Sequence, residues 1–309
     1  TDMTETMTKI WKFSDILRPA QTGGFAVGSF SPRYTKLIRP IVQAGMALRS
    51  PLIVQISEKE IYRHKVDIRA FAEEFYRVCR ELAVDIPITL HLDHTKDFEV
   101  IRQAVACGFT SVMIDASEWD FEENAARTKR VVEFAHSHGV SVEAELGKIG
   151  TTDFVETDKD EEQYTVPQEA EQFCMQTGVD ALAVSVGTAH GVYTVRQPKI
   201  AYDRLEAINR LTGTPLVLHG GSGVPSEMVV KAVQMPTGGV CKVNIATDIE
   251  LAMLEVVGRT GHMTEAELNA CPAQTLQAAC CAVEALVKDR IANYLLSEGK
   301  ADLYAAQEA

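Results

Sequence analysis

The sequence predicts an α/β chain folded as a closed (β/α)8 TIM barrel with extra C-terminal helices. Three observations carry that expectation: β-rich runs recur eight times, longer stretches with helical spacing separate them, and polar residues gather where the runs end. Eight strand–helix repeats in about 250 residues favour closure, because an open sheet of this kind more often stops at about five to seven strands.

The predicted strands are Phe25 to Phe30, Pro51 to Ser57, Ile88 to His94, Ser111 to Ala116, Val140 to Gly147, Ala181 to Gly187, Pro215 to Gly221 and Val240 to Ala246. Between them, Asp67 to Leu82, Glu122 to His138 and Tyr202 to Leu211 place apolar residues three to four apart, the spacing of a helix with one buried face. After Thr247 the chain reads as helical, with a polar break at Gly261 to Glu265 and an amphipathic run from Ala273 to Leu296. Such added helices cover a barrel end or make a subunit contact. Lys148 to Pro167 is long, acidic and poor in apolar side chains, which marks a functional or mobile loop. The expectation is one domain over residues 1–309, with residues 1–9 a tag remnant or loose end.

Of the 309 residues, 46% are hydrophobic and 24% charged, which excludes a disordered chain. Forty-three acidic residues against 30 basic ones give a formal charge of -13, so a basic face able to hold nucleic acid is not expected. The longest apolar stretches, such as Ala181 to Val186, fall short of the ~20 residues of a membrane span. Without membrane segment or signal-peptide pattern, the expected location is cytoplasmic. Seven cysteines with no C-x-x-C pair read as buried free thiols.

Strands of a parallel barrel are buried on both faces, so polar residues at their C-terminal ends call for an explanation other than packing. His94, His190 and His219 stand at three separate strand ends, 96 and 29 residues apart. Three imidazoles around an open position form a common catalytic zinc set; three unrelated hydrogen-bonded histidines are the alternative. His136 and His138 end a helix, His262 lies in a polar turn, and His91 is placed behind the ligands. Gly220-Gly221-Ser222-Gly223 after the seventh strand, with Asn244 and Thr247 after the eighth, stands where barrels bind phosphate through loop amides and a helix N-terminus, or is a plain turn.

These residues occur in longer motifs: Leu90-His91-Leu92-Asp93-His94, Ser111 through Ser117, Val142-Glu143-Ala144-Glu145-Leu146-Gly147, Gly187-Thr188-Ala189-His190-Gly191, Leu218 through Gly223, and Lys242-Val243-Asn244-Ile245-Ala246-Thr247. Over roughly residues 10 to 297 the sequence resembles the class II zinc-dependent ketose-bisphosphate aldolases, the fructose- and tagatose-bisphosphate enzymes. The resemblance implies Zn2+ held by His94, His190 and His219, with Glu145 supporting the metal or serving as an alternative ligand. It implies Asp93 as the acid/base at the C4 oxygen. Gly191, Gly221, Ser222, Asn244 and Thr247 would hold the C1 phosphate, with an additional monovalent cation nearby. The implied partner is a small-molecule phosphosugar, and the implied assembly a homodimer or homotetramer.

Four departures from the family pattern bear on the substrate. Where the loop after the fifth strand usually reads G-G-x-E-D, this chain has Gly150-Thr151-Thr152-Asp153, which makes Asp153, with Glu156 as a substitute, the candidate base for the C3 proton. Ala246 replaces an aspartate common in fructose-bisphosphate aldolases, which leans toward the tagatose type. Ser31-Pro32-Arg33 replaces a substrate-facing asparagine after the first strand. After Ser57-Glu58, the sequence Lys59-Glu60-Ile61-Tyr62-Arg63-His64-Lys65 replaces the usual continuation. Its basic cluster is either solvated surface or a rebuilt site in which Ser57, Lys59, Arg63, His64 and Lys65 meet a distal anion. That anion is a phosphate, as in tagatose or fructose 1,6-bisphosphate, or a sulfonate, as in 6-deoxy-6-sulfofructose 1-phosphate. The expected reaction is reversible cleavage to dihydroxyacetone phosphate and an aldehyde, and the rival from another class is a non-catalytic phosphosugar-binding barrel.

Overall fold

The computed structural model describes residues 8–151, 163–191, 193 and 197–307. Eight parallel strands close into a barrel: β1 (Val27–Phe30), β2 (Leu52–Ser57), β3 (Ile88–Thr95), β4 (Ser111–Ile114), β5 (Ser141–Leu146), β6 (Ala181–Val184), β7 (Leu216–Leu218) and β8 (Val240–Ile245). Each strand pairs with its neighbours in chain order. β8 returns to β1 with Lys242 opposite Val27 and Asn244 opposite Ser29, which seals the last edge. All eight predicted runs become strands. A parallel two-residue ladder, Gly150 with Ala189 and Thr151 with His190, adds a short second sheet above the barrel.

Apolar residues of the strands divide between two packing layers. Leu52, Val54, Leu90, Val142 and Val243 face the surrounding helices in the main core. Ile53, Met113, Ala181, Ala183 and Val217 share a second core with Phe13, Ile16 and Phe25, so the N-terminal segment plugs one end of the barrel. Trp11 N donates to Ile88 O at 2.8 Å and Phe13 N to Ser141 Oγ at 2.8 Å, which pins the plug to β3 and β5. Thr8, placed by the sequence in the loose end, donates to Val84 O at 3.2 Å.

Several of the surrounding helices start where the sequence supplies an acceptor for their first free amides. Asp67, Asp97 and Asp120 cap Ile68–Glu81, Phe98–Ala106 and Phe121–Ser137 through their carboxylates. The C-terminal region forms Thr247–Val257, Glu265–Asn269 and Ala273–Arg290, with the predicted polar break closed by a Thr264–Glu267 capping box. The seven cysteines are free; Cys79 and Cys241 are buried, whereas Cys281 is exposed. No described helix is long and apolar enough to cross a membrane.

Candidate active site

A cavity of about 1080 Å³ opens at the C-terminal ends of the strands. Period-two alternation explains what lies inside the barrel: His91 and Asp93 on β3, Glu143 and Glu145 on β5, and Lys242 and Asn244 on β8 are pairs two residues apart, so each pair shares a strand face, and the second of each pair lines the cavity while the first is buried below it.

His94, His190 and His219 converge, each offering one donor atom within 4.8 Å of the other two. Asp115 fixes His94 through Nδ1 at 2.9 Å, and Glu143 fixes His219 through Nε2 at 2.7 Å. The other nitrogen of each ring is left toward the cluster. His94 Nε2, His190 Nε2, His219 Nδ1 and Glu145 Oε2 are all buried without a hydrogen-bond partner among the described residues. A buried polar atom left unpaired costs about 1–3 kcal/mol, so four of them in one cluster are costly unless something occupies the point between them. Three imidazole nitrogens and one carboxylate oxygen, braced from behind by carboxylates, fit a divalent metal. Glu145 Oε2 lies 3.3 Å from His219 Nδ1, and Ser117 Oγ donates to Glu145 Oε1 at 3.2 Å, so this carboxylate is placed to ligate as well as to support.

Charge around the cluster points the same way. Burial would raise the Asp115 pKa, but His94 and Ser117 hold it well below the usual carboxylate range. Burial and the neighbouring Asp115 push Glu145 up. Burial opposes the charge on Asp93, yet positive charge at His94, Lys242 and His219 keeps its pKa below the ordinary value. With the three imidazoles neutral, as metal ligation requires, Asp93, Asp115, Glu143 and Glu145 have Lys242 as their one cation in the cluster, and a dication would take the place of the positive charge that the rings otherwise carry.

Beneath the histidine cluster runs a buried polar chain that joins Asp93, Asn244 and His219 to Glu143 and Lys242, two residues to which the sequence reading gave no role. Lys242 Nζ donates to Glu143 Oε2 and to Asn244 Oδ1, both at 2.8 Å. Asn244 Nδ2 donates to the two Asp93 oxygens at 3.3 and 3.4 Å. His219, Glu143, Lys242, Asn244 and Asp93 are thus linked without interruption. His91, expected behind the ligands, lies there: Nε2 is 3.2 Å from Glu143 Oε2, and its ring stacks 4.5 Å from Phe13.

Gly191, Gly221, Ser222, Asn244 and Thr247 line the cavity together, although the Asn244 side chain is already bonded to Lys242 and Asp93. Gly220 has φ +66°, and a Cβ there would stand 2.2 Å from Ala189 O, so the turn requires glycine. Ser222 Oγ accepts from Ala246 N and Asp248 N, both at 3.3 Å, which sets the loop against the first turn of Thr247–Val257. The positive end of that helix therefore faces the loop.

The structure divides the basic cluster after β2. Ser57, Lys59 and Arg63 line the cavity. His64 does not: it is fully buried, its Nδ1 is 2.8 Å from Met263 O, and burial pushes its pKa down to about 4. Lys65 does not either, since it ends the helix Glu58–His64 in a left-handed conformation (φ +52°) and is exposed outside the cavity lining. The two departures share a cause: on a short helix, adjacent residues face in directions about 100° apart, so a run of basic residues cannot all meet one ligand. Arg33 is held by Glu60 and Glu250. Asp153 and Glu156 lie outside the described residues.

The family described as fructose-bisphosphate aldolase class-II matches residues 11–300. A fructose-bisphosphate aldolase of Staphylococcus aureus is 38% identical over 243 residues, 79% of this chain and 83% of that protein. The crystal structure of the YdjI aldolase from Escherichia coli K12 superposes with a TM-score of 0.80 at 28% identity, covering 95% of this chain and 100% of that one. A putative fructose-1,6-biphosphate aldolase from Coccidioides immitis gives 0.77 at 31% identity, covering 93% and 97%. A barrel with this constellation at its strand ends, matched over nearly its full length by one family, is an aldehyde-lyase, and the chain belongs to the class II fructose-bisphosphate aldolase family.

Proposed function

We propose that the protein is a zinc-dependent aldolase that reversibly cleaves a ketose 1-phosphate with a distal anionic group, of the tagatose or fructose 1,6-bisphosphate type, into dihydroxyacetone phosphate and an aldehyde. The observation that carries this is the convergence of four unpartnered buried donors, His94 Nε2, His190 Nε2, His219 Nδ1 and Glu145 Oε2, in the site that also presents Asp93 and the glycine–serine loop.

The C1 phosphate sits at Gly191, Gly221, Ser222 and Thr247, where loop amides and the helix N-terminus meet it. Asp93, oriented by Asn244, takes the C4 hydroxyl proton during cleavage and returns it to the aldehyde during condensation. Asp153, or Glu156, moves the C3 proton, as the family pattern suggests. Zinc, when bound, supplies Lewis-acid stabilisation of the charge left on the dihydroxyacetone phosphate half. Lys59 and Arg63 hold the distal anion; they lie four residues apart on one helix face, where like charges repel until an anion comes between them. No imine is needed, and Lys242 is already engaged by Glu143 and Asn244.

Chelation is expected to abolish cleavage and zinc to restore it. Inactivation by borohydride in the presence of substrate, with activity indifferent to chelators, would reject the reading. The proposal includes a homodimer or homotetramer, checked by light scattering.

A further inference from the structure

His262 lies between Thr247–Val257 and Glu265–Asn269 and lines the same cavity. Its Nδ1 stands 2.9 and 3.0 Å from the two Glu250 oxygens. Glu250 also receives Tyr34 Oη at 3.0 Å and the Arg33 guanidinium, so this carboxylate acts as an acceptor throughout. The imidazole hydrogen must then sit on Nδ1, which leaves Nε2 as the accepting nitrogen of the neutral ring. Burial, with Arg63, Arg33 and Lys59 nearby, holds the His262 pKa below its ordinary value and so favours that neutral form. The side chain is 51% exposed, which leaves the ring open to a ligand.

An accepting nitrogen has the wrong polarity for an oxyanion. Lys59 and Arg63 can bind the anion, whereas the neutral His262 ring, with its hydrogen on Nδ1, accepts one at Nε2. The chemistry that satisfies both is a chain ending in an anion with a hydroxyl on the neighbouring carbon.

Building on the aldolase reading, we propose that His262 is a specificity-determining residue that accepts a hydrogen bond from the substrate hydroxyl adjacent to the distal anionic group, the C5 hydroxyl of a hexulose. Glu250 is its positioning residue, because it fixes the tautomer. The distal end is therefore selected twice, once for charge and once for a donor. A site that hydrogen-bonds a substrate hydroxyl discriminates against the analogue lacking it, because its polar atom is then left without a partner.

The test condenses dihydroxyacetone phosphate with D-glyceraldehyde 3-phosphate or with its 2-deoxy analogue, which differs only in the hydroxyl that becomes C5–OH. The ratio of the two kcat/KM values within one preparation is independent of the folded fraction. Wild type should favour the hydroxylated aldehyde by about tenfold or more. His262→Phe should bring the ratio near one, and His262→Gln, whose amide oxygen can accept, should restore part of it. The same ratio in wild type and His262→Phe overturns the inference. Exchange of the C3 proton of dihydroxyacetone phosphate by wild type separates the two failures: with exchange present, an unchanged ratio rejects the role of His262 alone, whereas absence of both exchange and cleavage rejects the aldolase reading with it.

Discussion

The floor and the mouth of the cavity treat polar groups in opposite ways. At the floor, His219, Glu143, Lys242, Asn244 and Asp93 are buried and bonded to one another, and four unpaired atoms, His94 Nε2, His190 Nε2, His219 Nδ1 and Glu145 Oε2, gather at one place. At the mouth, Lys59 is exposed and Arg63 partly so, with no ion-pair partner among the described residues. Unpaired polar atoms are expensive when buried and nearly free when hydrated, so the same observation means different things in the two places. At the floor it marks a set of atoms that fits a divalent metal; at the mouth it becomes informative only because two cations share a helix face lining the cavity.

The largest effect should follow from removing a ligand. His219→Ala is expected to reduce metal content, measured by atomic emission, to near zero and to take turnover to background while circular dichroism remains native. Retained metal with full activity would break the contrast at its root. Asp93→Asn should keep the metal but lower kcat by about two to four orders of magnitude, the usual range for a positioned acid/base; near-normal kcat would remove Asp93 from the mechanism.

Lys242→Met tests whether the floor is a structural unit. It leaves Glu143 buried without its cation and should destabilise the protein by about 3–5 kcal/mol in urea unfolding. Adding Glu143→Gln should recover part of that loss, and an unchanged single variant would show the chain to be dispensable. The mouth should give the smallest response. Arg63→Ala is expected to raise KM for an anionic aldehyde by roughly threefold to tenfold, less at high salt, with little change for dihydroxyacetone phosphate, and Ser222→Ala should do the reverse. If both variants shift the same half-substrate, floor and mouth are not separate sites.

The barrel was legible because eight β-rich runs in register with helical spacers leave few alternatives, and the convergence of His94, His190 and His219 because histidines at strand ends have no packing reason to be there. Limits appeared where a local pattern was too short. The run from Pro215 to Gly221 yields only Leu216–Leu218, since Gly220 turns the backbone to φ +66° against Ala189. The ladder at Gly150–Thr151 has two residues and no period to read. His64 and Lys65 were grouped with Arg63 by adjacency, although a helix sends neighbours to different faces. Lys242 could have been found: it lies two residues from Asn244 on a strand, so alternation alone places it on the same inner face of the barrel.

The helix after β2 begins with a capping box in which Ser57 Oγ accepts from Glu60 N at 3.2 Å, while Glu60 Oε2 accepts from Ser57 N at 3.0 Å. Glu60 also holds Arg33 from the end of β1. The platform that presents Lys59 and Arg63 therefore carries its own foundation, drawn from β1, β2 and the helix itself. Residues on its outward face can be exchanged without disturbing the bonds that set its position. A barrel built this way can change its substrate preference by drift at one short helix, while the groups that break the carbon–carbon bond stay under separate constraint.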